Sequence, residues 1–217
     1  MILEFLNSRF VLIFLLPFIL GTLTVFSFQP YNLSLINFAI IPIFFLLTTY
    51  VQKKSKNTFR KKPYLLNLFF IGYLFGIGFF LAGTYWISNA LTFDENFKIL
   101  IPISIIGLPL FLGIFFGIGN LIVGPFLQNN FISILLFSSS LAFMDYVRAK
   151  ILTGFPWNLW AYSWSWKPEI LQSLFYLGFF SFNLFCIIIY CTPLLLVFKK
   201  KSNIVLFFLL GFIFFGN

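Results

Sequence analysis

The sequence predicts an all-α, polytopic transmembrane helix bundle of about seven segments, the last of them incomplete. Three observations carry this expectation. Of the 217 residues, 61% are hydrophobic and only 9% are charged, against roughly 25% charged in soluble domains. The apolar residues fall into runs, several of them long enough for a spanning helix, which needs roughly 17–25 residues. The basic residues gather between those runs and mostly on one side, as membrane orientation requires.

The first segment covers about residues 10–28, with Pro17 and Gly21 inside it; neighbouring helices let membrane helices keep such residues. A secretory leader would need a stronger basic start and a small-residue cleavage site. Arg9 faces Glu4, and Ser27-Phe28-Gln29 is a poor site, so this segment is expected to stay as a helix. A break at Gln29-Pro30-Tyr31-Asn32 leads to the second segment, about 33–50. The most polar stretch, Gln52 to Pro63, follows. The third segment is about 64–91, the fourth about 99–123 and the fifth about 131–147. After a connection rich in tryptophan come the sixth, about 170–198, and the seventh, about 203–217.

With a cytoplasmic N-terminus, ten of the fourteen basic residues lie on the cytoplasmic side: Arg9, Lys53, Lys54, Lys56, Arg60, Lys61, Lys62, Lys199, Lys200 and Lys201. Lys98, Arg148, Lys150 and Lys167 lie opposite. The net charge of +9 thus records orientation, and no nucleic-acid partner is expected. Gly72 and Gly76, continued by Gly83, and Gly113 and Gly117 form small-residue faces. Such faces let helix backbones approach in lipid, and packing within one chain is expected, with a monomer as the resting state.

There is no histidine, so imidazole ligands and histidine acid–base chemistry are excluded within this chain. Cys186 and Cys191 sit in an apolar run and read as small apolar fillers; no metal site and no cofactor is expected. The acidic residues are Glu4, Asp94, Glu95, Asp145 and Glu169. Asp145 and Arg148 are three apart, share a helix face and are expected to form a structural ion pair, since a lone charge at a membrane helix end is costly.

The strongest local feature is LTGFPWNLWAYSWSWKPE, Leu152 to Glu169, which holds four of the five tryptophans. Tryptophan favours the membrane–water interface. Packed together behind a Gly-Phe-Pro turn, these rings suggest a formed loop rather than a scattered belt. Gly154 permits backbone angles closed to other residues and Pro156 stiffens the chain. The candidate lipid- or substrate-contacting residues are Gly154, Phe155, Pro156, Trp157, Trp160 and Tyr162.

Three stretches resemble the bacterial apolipoprotein N-acyltransferases. LTGFPWNLWAYSW, from Leu152 to Trp164, is similar to that family's TGFPW motif and its sequel. GIGFFLAGTYWISNAL, Gly76 to Leu91, resembles its third transmembrane segment and following loop, and FSFQPYNL, Phe26 to Leu33, its first turn. Asp145 and Arg148 stand where the family commonly has an acidic residue and an arginine. The resemblance implies an inner-membrane enzyme that moves an acyl chain from a phospholipid to the N-terminal diacylglyceryl-cysteine of apolipoproteins. It further implies a cysteine nucleophile, a glutamate base and a lysine at the oxyanion, a familiar division of labour in covalent acyl transfer. In the family these belong to a periplasmic nitrilase-like domain after the seventh helix. No residue here matches them, so no catalytic residue is expected in this chain, and the chain alone is expected to be inactive. It would supply the membrane portion, with the tryptophan loop on the periplasmic side. The alternative is a non-catalytic membrane scaffold or lipid-binding subunit.

Overall fold

A computed structural model describes residues 8–57, 64–151, 156–198, 206–208 and 210–211. The described residues form an all-α bundle. Helix α1 covers Val11–Ser27, opening with a π-helical turn and closing with a 3₁₀ turn. Helix α2 is Asn37–Asn57, α3 Tyr64–Thr84, α4 Leu108–Val123 and α5 Phe131–Lys150. Two short helices, α6 Pro168–Leu171 and α7 Ser173–Leu177, precede α8 Phe179–Tyr190 and α9 Pro193–Val197. Among the described residues, five stretches are long and apolar enough to cross a membrane: Ser34–Ser55, Tyr64–Thr92, Ile103–Phe126, Phe131–Lys150 and Phe179–Val197.

Hydropathy draws one segment over 170–198, but the chain turns at Gly178, whose φ of 72° lies in the left-handed region open to glycine. The spanning helix starts only at Phe179. Elsewhere pitch changes extend two of the helices: α3 passes into a 3₁₀ helix over Tyr85–Thr92, and α4 is preceded by a π turn over Ile103–Gly107. Most of the seventh hydropathy segment lies outside the described residues, as do Arg60, Lys61, Lys62 and Lys199 to Lys201.

Helix α5 has the clearest start. Asn130 accepts from the Ser133 backbone N–H at 2.8 Å, which caps a helix-end donor, and Ser133 Oγ accepts from the N–H of Gln128 in the preceding loop at 2.8 Å. Within the helices, hydroxyls that would otherwise face hydrocarbon donate to the preceding turn: Thr24 to Leu20 O, Thr48 to Phe44 O and Thr84 to Phe80 O. Water cannot relieve a bare polar group there.

Close backbone approach holds the centre. A Cβ added to Gly72 would collide with the Phe116 carbonyl, one on Gly76 would lie 2.8 Å from Gly113 Cα, and one on Gly21 would collide with the Phe75 carbonyl. The two small-residue faces of α3 and α4 therefore meet each other within the chain. Phenylalanines fill the remaining space, with Phe44 stacked on Phe75 at 4.1 Å and Phe116 against Phe75, Phe79 and Phe80.

The two ends of the bundle differ in chemistry. At the basic end, Arg9 donates to Asn67 Oδ1 (2.8 Å), Asn67 to Ser55 Oγ (3.0 Å) and Gln52 to Pro125 O (2.7 Å). At the opposite end the α1–α2 turn, the 3₁₀ stretch after α3 and the connection after α5 come together. Trp166 donates to Ser34 Oγ there at 3.2 Å.

Candidate functional site

The tryptophan end carries two adjoining cavities of about 470 and 600 Å³. They share Phe28, Gln29, Trp86 and Asn158. The first continues along Val25, Pro30 and Tyr31 to Tyr85; the second opens onto Pro156, Trp157, Tyr162 and Ser165. Each of the three sequence stretches singled out above thus contributes to one composite hollow, although they lie far apart along the chain.

Local geometry explains how the walls are set. Trp86 hangs from the end of α3: its indole N–H donates to Gly83 O at 2.9 Å. The Trp86 and Trp157 rings meet edge to face at 5.4 Å, a favoured aromatic arrangement. Asn158 takes a left-handed backbone, φ 54°, which asparagine tolerates better than most residues. Its carboxamide lies against Gly83, where a Cβ would collide with Nδ2. Gly83 is therefore the glycine that admits the tryptophan loop to the side of α3.

Of the predicted site residues, Gly154 and Phe155 lie outside the described residues. Pro156, Trp157 and Tyr162 line the second cavity. Trp157 is half exposed, at 48%. Trp160 is elsewhere: it is fully buried and stacked on Phe79 at 5.3 Å with planes 3° apart. Its ring lies in the core beneath the loop and anchors it, and lines neither cavity. Trp164 likewise packs inward on Tyr190, whose hydroxyl lies 2.6 Å from Ser163 Oγ. The tryptophan cluster so divides into buried anchors and rings at the cavity. Tyr162 is partly withdrawn from solvent, which raises its phenol above the ordinary value, while the Arg148 guanidinium pulls the other way; the ring stays neutral at physiological pH.

Asp145 and Arg148 pair at 3.0 Å with both side chains almost wholly buried. The pair is therefore inside the bundle, not at an exposed helix end. Asn183 of α8 donates to Asp145 Oδ2 at 3.0 Å and accepts from the Ala161 N–H at 3.1 Å. Arg148 donates to the Trp157 carbonyl at 2.8 Å and lies over the Phe80 ring at 4.9 Å. Sequence reasoning passed over Asn183, Phe28, Gln29 and Asn158 as site residues. For Asn183 a signal existed: a lone amide in an apolar helix is expected to face a partner inside the bundle. Cys186 and Cys191 are both fully buried and line neither cavity.

Comparison with known proteins adds a second line. The model of the apolipoprotein N-acyltransferase N-terminal domain matches residues 20–184, a stretch that includes every wall residue and the Asp145–Arg148–Asn183 network. The apolipoprotein N-acyltransferase of Brucella melitensis is 28% identical over 184 residues, covering 84% of this chain and 34% of that protein. The one from Allorhizobium ampelinum is 31% identical over 154 residues, 70% of this chain and 29% of that protein. The one from Rhizobium etli is 34% identical over 128 residues, 58% of this chain and 24% of that protein. The chain spans about a third or less of the length of these relatives.

Proposed function

Because the chain belongs to the apolipoprotein N-acyltransferase family, we propose that it is the membrane portion of such an enzyme and that its tryptophan-end cavity admits the substrates. The reaction proposed is transfer of a fatty acyl chain from a phospholipid to the N-terminal diacylglyceryl-cysteine of an apolipoprotein. The membrane would be a bacterial inner membrane, with the N-terminus cytoplasmic and the tryptophan end periplasmic, as the distribution of basic residues favours. Covalent chemistry would be done outside this portion, by the nitrilase-like domain that the resemblance implies. Neither buried cysteine is proposed as a nucleophile.

One observation carries the reading: all three stretches that resemble the family line the second of the two adjoining cavities. Its composition suits the role. Phe28, Trp86 and Trp157 offer apolar ring surface to an acyl chain. Gln29, Asn158, Tyr162 and Ser165 offer neutral hydrogen-bonding groups to an ester or headgroup. Apolar walls with a few convergent polar groups are the usual form of a small-molecule site. Phe28 rests against the buried Phe79 ring, and Trp86 and Trp157 brace each other edge to face, so little ordering remains to be done when a lipid arrives.

Replacing Trp157 by Ala in a complete protein carrying this portion, at matched expression, is expected to lower the acyl-transfer rate by about tenfold or more, the scale at which losing one buried ring contact costs over 1.4 kcal/mol. An unchanged rate would refute the role given to the loop.

A further inference from the structure

We infer that Asp145, Arg148 and Asn183 form a positioning clamp that sets where the Trp157 ring stands at the cavity; the catalytic relevance of that placement rests on the function proposed above. The network grips the tryptophan loop at two backbone points four residues apart. Arg148 holds the Trp157 carbonyl and Asn183 holds the Ala161 N–H. Asp145 joins the two grips, accepting from Arg148 on one oxygen and from Asn183 on the other. The residues come from α5 and α8, and Arg148 also packs on Phe80 of α3, so three helices fix one loop segment.

Stability alone does not account for this choice of residues. A buried ion pair is expensive to desolvate, and well-packed apolar residues often do as well. What the polar network supplies is direction. Between Trp157 and Ala161 the backbone takes the left-handed angle at Asn158 and enters a 3₁₀ helix only at Trp160, so the Ala161 N–H falls in a first turn, where helices leave donors without an internal partner. A guanidinium and an amide, each held in place by the same carboxylate, fill that need at fixed positions. The placement they enforce brings the Trp157 ring to Trp86 and the Asn158 carboxamide to Gly83. Asp145, Arg148 and Asn183 are absent from the cavity walls; they act through the loop and are positioning residues.

The test exchanges the two side chains that share the buried hydrogen bond. In D145N the amide faces Asn183 without the negative charge that Arg148 needs. In N183D two carboxylates face each other. In the double variant D145N/N183D the net charge is restored. The amide now on α5 can then donate to the carboxylate now on α8 and accept from Arg148, while that carboxylate still accepts from the Ala161 N–H. Acrylamide quenching of Trp157, isolated by difference from matched chains that also carry W157F, is measured on the 217-residue chain in detergent. Each single variant is expected to raise the Trp157 quenching constant about twofold or more, and the double variant to return it to the wild-type value, the non-additivity of a direct contact. Unchanged quenching in the single variants, or a double variant at least as perturbed as both, would overturn the clamp. Should a single variant fail to fold, the double variant decides alone: folding with wild-type quenching supports the clamp, and failure to fold or wild-type-unlike quenching overturns it. This readout needs no catalysis. If quenching follows the expected pattern while acyl transfer by the complete protein does not change, the clamp stands and the proposed role of the loop falls.

Discussion

Along the α3–α4 seam, glycines bring two helix backbones into contact; at the tryptophan end, large side chains and a buried polar network hold three unrelated segments around a hollow. In the seam the specification is the absence of atoms: Gly72, Gly76 and Gly113 leave nothing between the chains. At the tryptophan end it is the presence of particular atoms: the Trp86 N–H, the Arg148 guanidinium and the Asn183 amide each have a named acceptor or donor. A seam of the first kind resists any added volume. A site of the second kind tolerates small steric change but depends on hydrogen-bond direction. The difference suits their roles, since the seam has only to stay closed, whereas the cavity has to hold a shape around empty space.

Four substitutions test this contrast. The largest effect is expected for G72L, which drives a side chain into the Phe116 carbonyl and the Asn120 side chain. Overpacking where backbone must yield exceeds what a core absorbs, so the chain should lose its monodisperse folded peak on size exclusion in detergent. Next comes D145A, which takes the carboxylate away from the buried Arg148. Removing one partner of a buried pair costs about 3–5 kcal/mol, to be read as a marked fall in thermal unfolding temperature. Smaller again is G83A. The obstacle there is the tip of the Asn158 side chain, which can swing away, so a cost of about 1 kcal/mol is expected, with Trp157 quenching altered more than stability. The smallest is G107A, where the nearest atom to a new Cβ is Ile103 Cγ2 at 3.6 Å. Alanine is the better helix former by up to about 1 kcal/mol, and the unfolding temperature should stay level or rise. If G107A were as damaging as G72L, the distinction between seam glycines and open ones would fail.

The same contrast explains what could be read from the sequence. Spanning helices and the glycine seam depend on composition and short-range spacing, so the fold class and the meeting of the small-residue faces were legible. Asp145 and Arg148 were legible as a pair for the same reason, being one helical turn apart. Their third partner, Asn183, lies 38 residues beyond Asp145, and no local pattern joins them. The cavity walls posed the same difficulty, because Phe28, Trp86 and Trp157 become neighbours only when the α1–α2 turn, the end of α3 and the loop after α5 converge. The tryptophans read as a formed loop with Trp160 among its contacting residues, yet Trp160 and Trp164 turn inward, because Phe79 and Tyr190 offer flat ring partners beneath the loop. Composition does not distinguish a ring that faces lipid from one that faces phenylalanine.

Whether the tryptophan-end cavity admits an acyl chain is decided by a cross-linking map. The chain would be reconstituted in vesicles containing a phospholipid with a photoreactive group on its acyl chain, irradiated, and the attachment sites located by mass spectrometry. Labels are expected to concentrate on Phe28, Trp86, Trp157 and Tyr162 and to be displaced by excess unlabelled phospholipid. Labels spread evenly over the exposed apolar faces, such as Ile114, Ile118 and Ile122 of α4, with none on the cavity walls, would contradict this.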